Sequence, residues 1–223
     1  MQTVAYRSAD GVVDAMNRVY GHMSLAVLIS MVVSWFVGTS PELVKFFFTG
    51  VLKWIVIFAP LAMVLIVSFV QEHLSKAQLQ AFLYVFAGAM GLSFAMIFAA
   101  YTTVSVVTAF MGAGVLFGTM SLWGYFTRRD LSGWHSFLFV GMIAVVIASI
   151  INVFLGNTLL QMVISAIAII VFLGLTAYDT QTIREIVSQD SDTGREEVWG
   201  ALTLYLDFIN IFLNLLQLFG DRK

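Results

Sequence analysis

Between Leu79 and Phe126 the chain carries no charged side chain at all. One helical crossing of a bilayer needs ~20 apolar residues, so this stretch is too long for one span and fits two. The expected break is at Tyr101-Thr102-Thr103. Lipid offers the backbone no hydrogen-bond partner, which leaves helices and closed barrels as the only spanning structures. Composition extends the argument to the whole chain: 60% of residues are hydrophobic, 11% are charged and the mean hydropathy is +0.94. Soluble domains run nearer ~45–50% apolar and ~25% charged. The sequence therefore predicts an all-α, multi-pass membrane protein.

The remaining spans follow in order. Residues 1–19 form a polar N-terminal tail ending in a short helix, with Asp14, Arg18 and His22 at four-residue spacing. Residues 20–223 form a single transmembrane domain. Tyr20–Val37 is the first crossing, retained rather than removed as a signal peptide because no small-residue cleavage site follows it. Trp54–Val70 is the second, with Pro60 as a kink. The third and fourth share the uncharged stretch, and Gly114-x-x-x-Gly118 in the fourth can serve as a close helix contact or as ordinary small-residue packing. Trp134–Leu155, Leu159–Ala177 and Val198–Phe219 complete seven. Cysteine is absent, which excludes disulfides and thiolate metal sites, and a net charge of −2 provides no basic field for nucleic acid. Arg7, Arg18, Lys76, Arg128, Arg129, Arg184 and Arg195 fall on one side of this topology. Lys45, Lys53, Arg222 and Lys223 fall on the other, which favours a cytoplasmic N-terminus.

The last span is the most informative. Gly200, Thr203, Asp207, Asn210, Asn214 and Gln217 are separated by 3, 4, 3, 4 and 3 positions, the spacing of a narrow helical stripe. Polar side chains in a bilayer turn toward protein or a wet cavity, so the C-terminal helix is expected at the centre of the bundle with its stripe facing a shared interior. Asp179 lies just beyond the apolar core of the sixth span. With the sixth helix running on to about Val187 and the seventh starting near Val198, a turn at Thr193-Gly194 would fold the two back and set Asp179 and Asp207 at matching depth. Two carboxylates a few ångströms apart in a poorly hydrated site cannot both ionise cheaply, and their titration belongs to the pair. Sharing one proton holds two helices together; losing it pushes them apart or recruits a cation. The plain alternative is a solvated Asp179 and an Asp207 that bonds a neighbouring helix.

Thr176-Ala177-Tyr178-Asp179-Thr180-Gln181 and Gly200-Ala201-Leu202-Thr203-Leu204-Tyr205-Leu206-Asp207-Phe208-Ile209-Asn210 resemble the C-terminal signature of the Bax inhibitor-1 (transmembrane Bax-inhibitor-motif) family. Met120-Ser121-Leu122-Trp123-Gly124-Tyr125 with Thr127-Arg128-Arg129-Asp130 resembles that family's fourth-span ending, and the short loops resemble bacterial members. The resemblance implies a seven-helix bundle with the last helix surrounded by the other six. It also implies a pH-sensitive calcium leak in a bacterial inner membrane, sensed by the pair Asp179 and Asp207. Relatives couple that pair to an arginine near the end of the second span; here His73 and Lys76 are the nearby latch candidates. Thr203, Asn210, Asn214 and Gln217 would then line the polar path. No cofactor is implied, calcium or another cation being the transported species, and a membrane-protein partner is a further expectation.

Two other readings compete. An intramembrane aspartyl protease also carries Tyr-Asp in one helix and an aspartate in the next. Here, however, Leu204-Tyr205-Leu206 stands where such enzymes place glycines. A non-transporting modulator of a membrane protease or stress response is the third.

Overall fold

The computed structural model describes residues 6–189 and 194–223. Seven stretches among them are long and apolar enough to cross a membrane. In chain order the helices are α1 (Ala9–Gly38), α2 (Pro41–Phe47), α3 (Leu52–Val70), α4 (Lys76–Ser93), α5 (Ala95–Ala100), α6 (Thr103–Phe126), α7 (His135–Leu155), α8 (Thr158–Ser188) and α9 (Arg195–Phe219). α4 and α5 together make one crossing, and α2 is a short helix between crossings.

Local chemistry fixes the ends. Ser75 and Gln78 form a reciprocal capping box at the start of α4, and the Thr102 hydroxyl accepts from Ser105 N at the start of α6. The expected break at Tyr101-Thr102-Thr103 is where α5 gives way to α6. α7 stops at Gly156, whose φ of 62° is a left-handed conformation that favours glycine, and Asn157 then caps α8. In the loop before α7, the backbone N–H of Ser132 donates to Asp130 Oδ1 at 2.8 Å, which holds that carboxyl below its ordinary range.

Two expectations change, and a third holds. The polar N-terminal tail does not stand apart, because α1 begins at Ala9 and buries Ala15, Met16 and Val19 in the bundle. α2 and the interruption between α4 and α5 lie inside segments that read as a plain loop and a plain span. α8 does run on past Ala177, to Ser188, and α9 starts at Arg195, so the last two helices form the long hairpin expected of them. Gly194 of its turn is described, with φ 57°, whereas Thr193 lies outside the described residues.

α9 is the most buried crossing. It packs chiefly against α8, α6, α1 and α4, while α3 lies outside against α4 and α7 outside against α8. The expectation of six surrounding helices therefore becomes an inner ring of four with two outriggers. Tyr205 of α9 is fully buried, edge-on to Phe86, and Phe208 meets Phe110 and Phe117 edge-on. Outward, Phe69, Phe137, Val153 and Phe154 are strongly exposed. On a soluble protein such patches would mark interfaces; on these helices they face hydrocarbon.

Candidate functional site

Small residues bring α8 and α9 together. A Cβ on Gly200 would sit 2.8 Å from the Ile183 side chain, so glycine is what allows the two helices this approach. Gly124 of α6 lies directly on the Ala177 backbone in the same region. Gly114 and Gly118 meet nothing within 4 Å and hold no helix contact, which corrects that expectation.

Against this close-packed hairpin Asp179 and Asp207 stand within hydrogen-bonding reach of each other. Two carboxylates make such a bond only when one of them carries a proton. Asp207 is 4% exposed, and its Oδ2 accepts no hydrogen bond among the described residues. Asp179 is half-buried. His135, at the first turn of α7, acts electrostatically on Asp179 and packs its ring 5.2 Å from that of Tyr178. Beside them a polar chain crosses three helices: Tyr20 to Ser121 at 2.6 Å, and Ser121 to Thr180 at 3.0 Å.

The rest of the stripe behaves differently. Thr203, Asn210 and Asn214 are half-buried and each donates to the carbonyl four residues earlier, on Trp199, Leu206 and Asn210. The stripe is thus the less enclosed side of α9, and these groups are satisfied by their own helix. Gln217, near the far end, accepts from Gln161 and from Ser165 at 3.1 Å on α8. Asn152 of α7 donates to Gln161 at 3.0 Å, so this polar cluster ties three crossings together.

The latch candidates are not brought to the aspartates. His73 is exposed. Lys76 instead reaches Glu197 Oε2 at 3.1 Å, passing over Gly194, where any Cβ would meet its Nζ. Glu197 lies ten positions before Asp207, roughly 15 Å along the helix. This glutamate, 2% exposed, is the residue that sequence reasoning missed. Arg18 grips it with two bonds, Nη2 to Oε1 at 2.7 Å and Nε to Oε2 at 3.0 Å, and Arg7 Nη1 adds a third cation at 3.3 Å. The cluster binds the N-terminal segment, α1, α4 and α9 at one end of the bundle. The Arg7 N–H also donates to Ser188 O at 2.9 Å, closing that end over α8. The stripe gave no signal for it: its alternation runs back from Gly200 to Glu196, and Glu197 stands one position off it.

The family profile described as "Inhibitor of apoptosis-promoting Bax1" matches residues 12–223. The chain belongs to the Bax inhibitor-1 family. It is 38% identical over 219 residues to "Inner membrane protein YbhL" of Escherichia coli K12, covering 96% of this chain and 94% of that protein. It is also 37% identical over 220 residues to "Uncharacterized protein RP147" of Rickettsia prowazekii, covering 96% and 92%. A Deinococcus radiodurans protein of uncharacterized role is 33% identical over 228 residues, covering 100% and 98%.

Proposed function

We propose that this member of the Bax inhibitor-1 family is a proton-regulated cation leak, with calcium as the transported ion and the Asp179–Asp207 pair as its gate. The observation that carries the reading is the meeting of two carboxyl groups at the α8–α9 contact, one of them buried with an oxygen that no donor among the described residues reaches. A single shared proton supplies the hydrogen bond the site otherwise lacks. Its loss leaves two like charges in a low-dielectric interior, which either separates α8 from α9 or draws in a cation. Thr203, Asn210 and Asn214, half-buried on either side of Asp207, and the exposed Gln217 beyond them share the stripe of α9, and we assign them the polar path. We move the latch from the aspartates to Glu197, where Lys76 joins Arg7 and Arg18 while His73 takes no part; these cations act on the same helix from its N-terminal end.

We also place the protein in a bacterial inner membrane, as the printed name of the E. coli relative describes that relative, with its N-terminus cytoplasmic. The reading is preferred over proteolysis because Leu204 and Tyr205, both fully buried, seal the backbone ahead of Asp207 where a peptide substrate would need access.

The test is calcium flux into proteoliposomes across a series of pH steps. Asp207→Asn should flatten the pH dependence, and Asp179→Asn should do so to a lesser degree, since Asp179 is half-buried. Flux that stays as pH-dependent as the parent's in both variants would exclude this gate.

A further inference from the structure

A cavity of about 430 Å³ lies between α1, α5, α6 and α9. Its wall is apolar except for the hydroxyls of Ser30, Ser34 and Thr103, and the Ser30 hydroxyl is already engaged with Tyr205 at 2.7 Å and the Ala87 carbonyl at 2.8 Å. A buried water needs about 2–4 polar partners, which this lining scarcely offers, whereas apolar cavities take up apolar guests. The opening is lateral. Met31, Trp35, Val107 and Met111 belong both to the cavity lining and to the exposed, hydrocarbon-facing surface. The material available at that mouth is lipid chain.

One end of the cavity carries positive charge. Lys223 Nζ donates to the carbonyl of Phe98, a lining residue, at 2.7 Å. The Arg222 guanidinium sits 5.7 Å from the Tyr101 ring, and the tail is pinned there by Thr102 N to Asp221 O and Lys223 N to Ala100 O. The Asp221 side belongs to a separate groove with Val104 and Thr108. Two cations at a helix end, over an apolar slot that opens sideways, match the two parts of a membrane lipid.

We propose that this crevice is a lipid-binding site: it takes one acyl chain of a glycerophospholipid, whose phosphate pairs with Lys223 and Arg222. The site stands apart from the aspartate gate and does not depend on it.

The experiment uses the full chain in detergent with phosphatidylglycerol carrying a photoactivatable diazirine in one acyl chain, and maps adducts by peptide mass spectrometry. A diacylglycerol with the same labelled chain is the phosphate-free arm. Adducts should concentrate on Met31–Trp35 and Val107–Met111, several-fold above those on the Val153–Phe154 face of α7. They should fall several-fold in Val107→Trp and in the double variant Arg222→Ala with Lys223→Ala, and be several-fold weaker with diacylglycerol. Met111→Trp, at the exposed rim, serves if Val107→Trp does not fold. Labelling spread evenly over the outer faces and indifferent to the rim variants would mean ordinary boundary lipid and overturn the proposal. Diacylglycerol labelling the crevice as strongly as phosphatidylglycerol would also overturn it, by removing the phosphate contact.

Discussion

Asp207 differs from the other polar residues of α9 in one chemical respect. Asn210 and Asn214 own N–H groups and return them to carbonyls four residues back. An aspartate has a proton to donate only when it is protonated, so the bonding of Asp207 depends on a partner that shares one. Glu197 solves the same problem with cations. Glu197→Gln would leave Arg7, Arg18 and Lys76 facing a neutral amide. Breaking a buried ion pair costs ~3–5 kcal/mol, an upper bound here because the Arg18 and Lys76 side chains are 48% and 41% exposed and so screened by solvent. Thermal unfolding in detergent should register a clear loss; an unchanged midpoint would mean that the cluster contributes nothing. Tyr205→Phe removes one buried bond from Ser30, which keeps its two carbonyl partners. It should cost about 0.6 kcal/mol and no more than ~1.7, the range for hydrogen bonds between membrane helices. The two acids differed in how legible they were. Asp207 stood out because leucine and phenylalanine surround it. Glu197 was masked because it stands in the charged run Arg195-Glu196-Glu197, which reads as loop, and lies one position off the stripe.

At the scale of elements, close approach depends on which face a glycine occupies. Gly124→Ala would drive a Cβ into the Ala177 backbone and force α6 from α8, with the ~1–3 kcal/mol penalty of overpacking. Gly114→Ala meets open space and should be neutral or stabilising, by up to ~1 kcal/mol from helix propensity. Equal effects in an unfolding series would contradict this assignment of faces. The GxxxG spacing alone could not make the distinction, since it gives a face but not what that face meets. Spans were readable because hydrocarbon demands long apolar runs, and the α5–α6 break because a threonine cap marks it. The α4–α5 interruption escaped because it lies in apolar sequence, where neither charge nor period changes; α2 escaped because Pro41, Glu42 and Lys45 read as loop, although Ser40 caps the helix and Pro41 opens its first turn. The stripe foretold that α9 is central. It did not foretell that Asn210 and Asn214 would return their N–H groups to their own helix while Asp207 depends on α8.

In the whole molecule two acidic sites act on one helix, one at its start and one at its midpoint. Glu197 anchors the start of α9 to α1, α4 and the N-terminal segment, and Asp207 meets α8 farther along. A rigid anchor at one end confines any motion driven by the aspartates to the rest of the hairpin. If the pair acts as one titrating unit, its members cannot contribute independently. The most direct measurement is therefore a double-mutant cycle of calcium flux across pH steps with Asp179→Asn, Asp207→Asn and the two combined. The account predicts that the combined variant responds to pH no less than Asp207→Asn alone, because the shared proton is already gone. Two partial losses that add in the double variant would show two separate sites and contradict the shared-proton gate.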